Sequence, residues 1–236
     1  MQTQNARFLG LVKFFADETK LQSLVDGCFW CNTPEYYRRS NAEGVSDKNE
    51  SCAISYRASR NDPLVTLTIN GEVISDAISI TIHRGDDGDG YMHCWFALYE
   101  TNSPDEEERL NNTITRMKEE FGGHIAFVPA QFVEPLYKRI SSLTELEVSC
   151  GRVIYSDDKA QWGSFCKALS YEYQNEFRFS IGRCAPDEVD PLILKHEGGF
   201  KDLIFPNPAI VKDPSTGDVR VYPKKNNSPS VEKTSD

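Results

Sequence analysis

The chain has 236 residues, 39% hydrophobic and 11% aromatic, enough for one large domain or two small ones with a sheet-rich core. A formal net charge of −10 gives no broad cationic field, so nucleic acid is disfavoured as a partner. No apolar run approaches the roughly 20 residues that cross a bilayer, and "MQTQNARFLG" lacks the layout of a secretion signal, so no membrane partner and a cytoplasmic location are expected.

In chain order, "RFLGLVKFF" predicts an opening strand, and "DETKLQSLVDG" a short helix capped by Asp17 and closed by Gly27. "CFWCNT" predicts a second strand; Thr33 and Pro34 open a helix over "TPEYYRRS". "NAEGVSDKNES" is a polar loop in which Asp47 and Glu50 are expected to be solvated. "CAISYR", "LVTLTI" and "EVISDAISITIH" read as antiparallel strands, the last two joined at Asn70-Gly71. "GDDGDG" is a loop before the strand "YMHCWFALYE". The clearest helix is "SPDEEERLNNTITRMKEEFGG", with Ser103 as cap, Pro104 first, acids in the first turn and Gly122-Gly123 as the stop. A strand "HIAFVP", a helix "AQFVEPLYKRI", a strand "LEVSCGRVIYSD", a helix "KAQWGSFCKAL" and a strand "YEYQNEFRFSIGR" follow. Beyond Arg183 the chain is loop-rich, with short strands at "FKDLIFP" and "DVRVYP" and a disordered tail over 223–236. Residues 1–222 are expected to form a single α+β domain, a mixed and largely antiparallel sheet with flanking helices.

Seven cysteines, an odd number within mostly apolar segments, suit buried thiols better than a disulfide frame. Cys28 and Cys31 in "CFWC" point to opposite faces of a strand and have no second pair to complete a zinc site. Asp86, Asp87 and Asp89 lack the closing Glu of a calcium loop, and His83 and His93 make at most half a metal site. Phosphate loops, dinucleotide-binding glycine patterns and nucleophile elbows are missing; "EFGG" ends a helix instead of opening one.

The stretch from Tyr171 offers more. Gln174 and Glu176, two apart on a strand, would project from one face about 7 Å apart. This resembles the Gln-x-Glu pair of ADP-ribosyltransferases, which implies that Glu176 binds the nicotinamide ribose and stabilises an oxocarbenium-like transition state while Gln174 meets the acceptor. The alternative is a half-exposed strand on which Glu176 and Arg178 neutralise each other. Lys13 lies on the face opposite Val12 and Phe14, as a snorkelling or a ligand-binding cation. Tyr36, Tyr37, Arg38 and Arg39 crowd one helical turn, and Arg38 or Arg39 could grip a phosphate or simply face solvent.

Several segments in order, "LVKFF", "LQSLVDGCFWCNTPEYYRR", "SDKNE", "HCWFALYE", "GGHIAFVPAQFVEPL", "GRVIYSD" and "FCKALSYEYQNEFRFSI", resemble a bacterial and phage family, domain of unknown function 2971, over residues 8 to 183. The matching positions are Lys13, Gly27, Asp47, Glu50, Cys94, Trp95, Lys167, Glu176 and Arg178. The chain departs from the family where members carry a Trp and Tyr on the helix after the central strand; here "RLNNTITRMKEEF" has Met117 and no Trp. The resemblance implies, by distant fold analogy, an ADP-ribosyltransferase-like protein. The expectation is an NAD-utilising transferase or NAD glycohydrolase acting in conflict between phage and bacterium, with NAD as substrate and no metal. Glu176 and Gln174 would be catalytic, Arg178 or Lys13 would hold a phosphate, and Tyr36 or Trp95 would stack on nicotinamide or a base. A second expectation is a non-catalytic binder or inhibitor whose acidic surface meets a basic protein partner.

Overall fold

The computed structural model describes residues 6–63, 66–74, 77–212 and 219–222; the predicted tail at 223–236 lies outside them. The elements in chain order are β1 (Phe8–Phe15), α1 (Glu18–Val25), β2 (Cys28–Cys31), α2 (Pro34–Arg39), β3 (Ile54–Arg57), β4 (Leu67–Ile69), β5 (Glu72–Ile74), β6 (Ser79–Ile82) and β7 (Tyr91–Tyr99). They continue with α3 (Pro104–Phe121), β8 (His124–Pro129), α4 (Ala130–Ser141), β9 (Val148–Arg152), β10 (Ile154–Tyr155), β11 (Cys166–Lys167), β12 (Glu176–Ile181), β13 (Leu192–Lys195), β14 (Phe205–Pro206), β15 (Ala209–Lys212) and β16 (Val219–Tyr222). No helix among the described residues is long and apolar enough to cross a membrane.

Six strands form the central sheet in the order β14-β8-β1-β7-β12-β9, every neighbouring pair antiparallel. Strand alternation gives it two apolar faces. On one, Leu11, Trp95, Ala97, Phe179 and Ile181 pack with Leu21, Leu24 and Val25 of α1 and Leu136 and Ile140 of α4. On the other, Val12, Phe14, Phe96, Leu98 and Phe127 meet Met117 of α3, with Leu110, Ile114 and Phe121 of that helix at the margin. The architecture is thus α+β, with helices on both faces of a largely antiparallel sheet, as the sequence predicts; the parallel pair is β10 with β11.

The sheet forks at its centre. Pairing of β1 with β7 stops at Val12 opposite Phe96. β1 stays paired to β8 as far as Phe15, and β7 stays paired to β12 as far as Tyr91. The freed edge of β7 is taken up further along by Asn32, whose backbone exchanges two hydrogen bonds with Met92 (2.9 and 2.7 Å). Between these points a gap opens in the sheet.

Local signals place their elements well. Ser103 Oγ accepts from the Glu106 amide at 3.2 Å, with Pro104 leading α3. Thr33 caps α2 in the same way, and Asn70-Gly71, both at positive φ, turn β4 into β5. Four expectations are corrected. "KAQWGSFCKAL" is not a helix but a 3-10 turn at Lys159–Gln161 followed by β11, with Gly163 bridged to Cys166. "EVISDAISITIH" divides into β5 and β6, and β6 pairs with β3 instead. "LEVSCGRVIYSD" divides into β9 and β10. The strand expected from Tyr171 starts only at Glu176: Leu169–Gln174 is a 3-10 helix, and Asn175 ends it at φ 37°, a left-handed geometry that Asn tolerates.

The segment between α2 and β7 is pinned by buried ions. Arg38, fully buried, forks onto Asp89 at 2.6 and 2.7 Å and onto the Glu50 carbonyl at 2.7 and 3.0 Å. Glu35 accepts two bonds from Arg57, at 2.6 and 2.9 Å. Arg38 is therefore closed to a phosphate, and Asp89 of the predicted loop is its counter-ion. Asp47 and Glu50, expected in solvent, are buried as well.

Gly10 marks the bulge at which β1 slips register against β7. It sits at φ +148°, and a β-carbon there would overlap the Val128 carbonyl oxygen and press on the Phe127 ring. Gly10→Ala is expected to lower stability by about 2–3 kcal/mol, measured by urea unfolding.

Candidate functional site

A cleft of about 290 Å³ opens at the fork. Val12, Phe14, Phe96, Met117 and Phe121 give it an apolar wall, and Lys13, Asn32, Tyr37, Glu50, Cys94, Lys167, Gln174 and Glu176 give it polar groups. Tyr36 and Lys20, both exposed, stand at its mouth. Alternation alone would keep Lys13 on the α1 face. The missing β1–β7 pairing lets its amine enter the gap, where it donates to the Cys94 carbonyl at 2.7 Å.

Behind the cleft lies a closed charge cluster. Glu176 and Arg178, two apart on β12, share a face, and Arg178 Nε donates to Glu176 Oε1 at 2.8 Å. Lys167 of β11 lies 3.4 Å from Glu176 Oε2, 3.1 Å from Glu50 Oε2 and 3.9 Å from Asp47 Oδ2. Glu50 Oε1 is 2.8 Å from Arg178 Nη2, and Arg178 Nη1 donates to the Ser164 carbonyl at 2.6 Å. Gln174 spans the cluster and the polar loop: its carbonyl oxygen accepts from Lys167 at 3.2 Å, and its amide donates to Gly44 O at 2.8 Å.

These contacts set the protonation states. Burial pushes the Glu176 carboxyl up, but Arg178 and Lys167 outweigh it and hold the group far below the usual carboxylate range. Glu50 is lowered too, burial being overcome by the same two cations. Asp47 is the exception: burial, then repulsion from Glu50, push it up to about 6. Lys167 and Arg178 resist burial through their carboxylates and stay charged. Burial, reinforced by Glu176, lifts the Cys94 thiol to about 12, so it is a protonated donor and no nucleophile. Lys13 is lowered by burial, against weaker opposition from Cys94, Cys31 and Glu176.

Glu176, Gln174, Lys13, Tyr36 and Trp95 all line the cleft, although Gln174 arrives from the 3-10 helix and not from the strand. Arg178 does not reach the cavity; it is fully buried and its guanidinium is occupied, so the phosphate role is corrected to one of positioning Glu176. Trp95 is 2% exposed and its ring is packed in the core, so the stacking role expected of it is corrected to one of packing. Tyr36 is 45% exposed and does offer a face. His83 and His93 are separately engaged, by the carbonyls of Ser51 and Trp30, and no metal-binding group of three or more His, Cys, Asp or Glu occurs among the described residues. Motif reasoning missed Lys20 and Asn32, which carry no local signal, and noted Tyr37 without giving it a role. Of the residues matched to the family resemblance, all except Gly27 meet in or directly behind this cleft.

Comparison with protein-family models, curated proteins and solved structures finds no match to this chain.

Proposed function

We propose that the cleft binds a nucleotide of the NAD class and cleaves the bond between its ribose and nicotinamide, in the manner of an ADP-ribosyltransferase or NAD glycohydrolase. The observation that carries this reading is a carboxylate held in its ionised form, Glu176, in a cavity with one apolar wall, beside Gln174 and Lys13. As the C–N bond breaks, its electron pair leaves with nicotinamide and positive charge develops on the sugar. A fixed carboxylate in a partly dry site stabilises that charge without reorganising. The volume of about 290 Å³ lies at the small end of ligand pockets, roughly 300–1,000 Å³, so it suits the nicotinamide–ribose end of the substrate. The diphosphate would then lie at the mouth near Lys20, with Tyr36 against a base. Lys13 would donate to a ligand oxygen deep in the cavity, and Gln174 would orient the acceptor. The gathering of the matched positions around one cavity supports the resemblance to domain of unknown function 2971, and with it we propose a role in conflict between phage and bacterium.

One observation favours a second reading. Lys167 and Arg178 already offset the Glu176 charge, which suits a non-catalytic nucleotide binder. Incubation with NAD separates the two. Catalysis predicts nicotinamide release, reduced about 10²–10³-fold in Glu176→Gln. NAD binding seen by calorimetry with no release above a protein-free control overturns catalysis and leaves the binder.

A further inference from the structure

We propose that Lys13 is a carbonyl-capturing amine, which condenses with the open-chain aldehyde of a phosphorylated sugar seated in the cleft. The sugar comes either from solution or, if the cleavage reading holds, from the ribose freed at the same place.

Three lysines line the cleft, Lys20 exposed at its mouth and Lys13 and Lys167 inside it. Lys167 lies within 3.9 Å of three carboxylates. Lys13 forms no ion pair among the described residues; its amine makes one hydrogen bond, to Cys94 O, and lies 5.8 and 5.9 Å from the centres of the Phe15 and Trp95 rings. The titratable groups that face it are Cys31 of β2, His93 and Cys94 of β7 and Glu176 of β12. Burial keeps both thiols protonated and His93 neutral. Glu176 is the one anion, and Arg178 and Lys167 already engage it. Burial therefore favours the free amine, the form that attacks carbonyl carbon. A second feature suits a ligand that carries oxygen acceptors, as a sugar does. The indole N–H of Trp95 is buried without a hydrogen-bond partner among the described residues, and Trp95 lines the same cleft. An unpaired buried donor is unfavourable until a ligand oxygen accepts from it. Lys20 at the mouth can meet the phosphate.

The amine nitrogen adds to the aldehyde carbon and a proton moves to the oxygen, giving a carbinolamine. Loss of water forms the imine, and hydrolysis returns amine and sugar, so no oxidant or reductant is required.

The test uses the full-length protein with ribose 5-phosphate and cyanoborohydride at neutral pH, followed by peptide mass mapping. Reduction fixes the imine as a secondary amine, which adds the mass of the sugar less one oxygen. The expected result is labelling of Lys13 at least about tenfold faster than of exposed Lys118 or Lys195, with the Lys13 adduct lost and the surface adducts kept in Lys13→Arg. Labelling of Lys13 no faster than of Lys118 and Lys195 overturns the proposal, and because this needs only the wild-type chain, poor folding of the variant does not blunt it. A parallel arm supplies NAD in place of the sugar. An adduct there identifies freed ribose as a source. An adduct with ribose 5-phosphate but not with NAD supports amine capture from solution and tells against cleavage.

Discussion

Arg178→Met is expected to lower the unfolding free energy by about 3–5 kcal/mol at neutral pH, the largest effect of any single substitution near the cleft. Arg178 is fully buried and lies 2.8 Å from both Glu176 and Glu50. Removing it leaves Lys167 as the one cation among three buried carboxylates. The loss comes from stranding those charges, not from a large net gain of the native pairs, because desolvation offsets much of their attraction. Adding Glu176→Gln and Glu50→Gln to Arg178→Met should therefore recover part of the stability, a non-additive result. Urea unfolding of the single and triple variants measures both; a single-variant loss under about 1 kcal/mol would show that water or rearrangement compensates the charges.

Asp47→Asn is expected to stabilise the protein above pH 6, by about 1–3 kcal/mol, and to leave it unchanged below about pH 4. The Asp47 carboxyl is raised from 3.8 to about 6 by burial and by Glu50. The native state thus holds this proton more tightly than the unfolded chain does. Stability from that proton is complete below the unfolded value and is lost as pH rises through about 6, a displacement of about 2 in pKa and so at most about 3 kcal/mol. Glu176 carries the opposite sign. Its carboxyl is lowered, so its contribution is present above the unfolded value of 4.5 and fades as pH falls. Glu176→Gln should accordingly destabilise at neutral pH, with the difference shrinking in acid. Unfolding free energies from pH 2 to 8 separate the two: the Asp47→Asn gain grows between about pH 4 and 6 and then levels, whereas the Glu176→Gln loss is constant above 4.5 and shrinks below it; differences that do not change with pH would contradict the charge assignment.

What could be read beforehand follows the range of the interaction. Ser103-Pro104, Thr33-Pro34 and Asn70-Gly71 act within a few residues and specify their elements directly. Lys159–Leu169 misleads, since its apolar spacing is used to wrap a turn and a two-residue strand around Gly163. Asn175 is an equally local trap: one left-handed residue separates Gln174 from the strand that an alternating pattern would give it. For the site, Glu176, Gln174 and Lys13 were legible from residue chemistry. The burial of Asp47 and Glu50 was not, because their partners Lys167 and Arg178 come from distant parts of the chain. In the sequence those acids sit in a polar loop and look like ordinary solvated residues. Their place among the positions shared with the family resemblance was the one hint that they belong inside.

The divided seam between β1 and β7 constrains how this cavity can change. Lys13 plugs the seam by satisfying the Cys94 carbonyl, so a shorter side chain at that position strips a backbone oxygen of its donor as well as altering the ligand site. Selection for a new ligand cannot act there freely. The tolerant surface is the facing wall, where Met117 and Phe121 of α3 shape the cavity through volume alone. Diversification and redesign should begin from that helix.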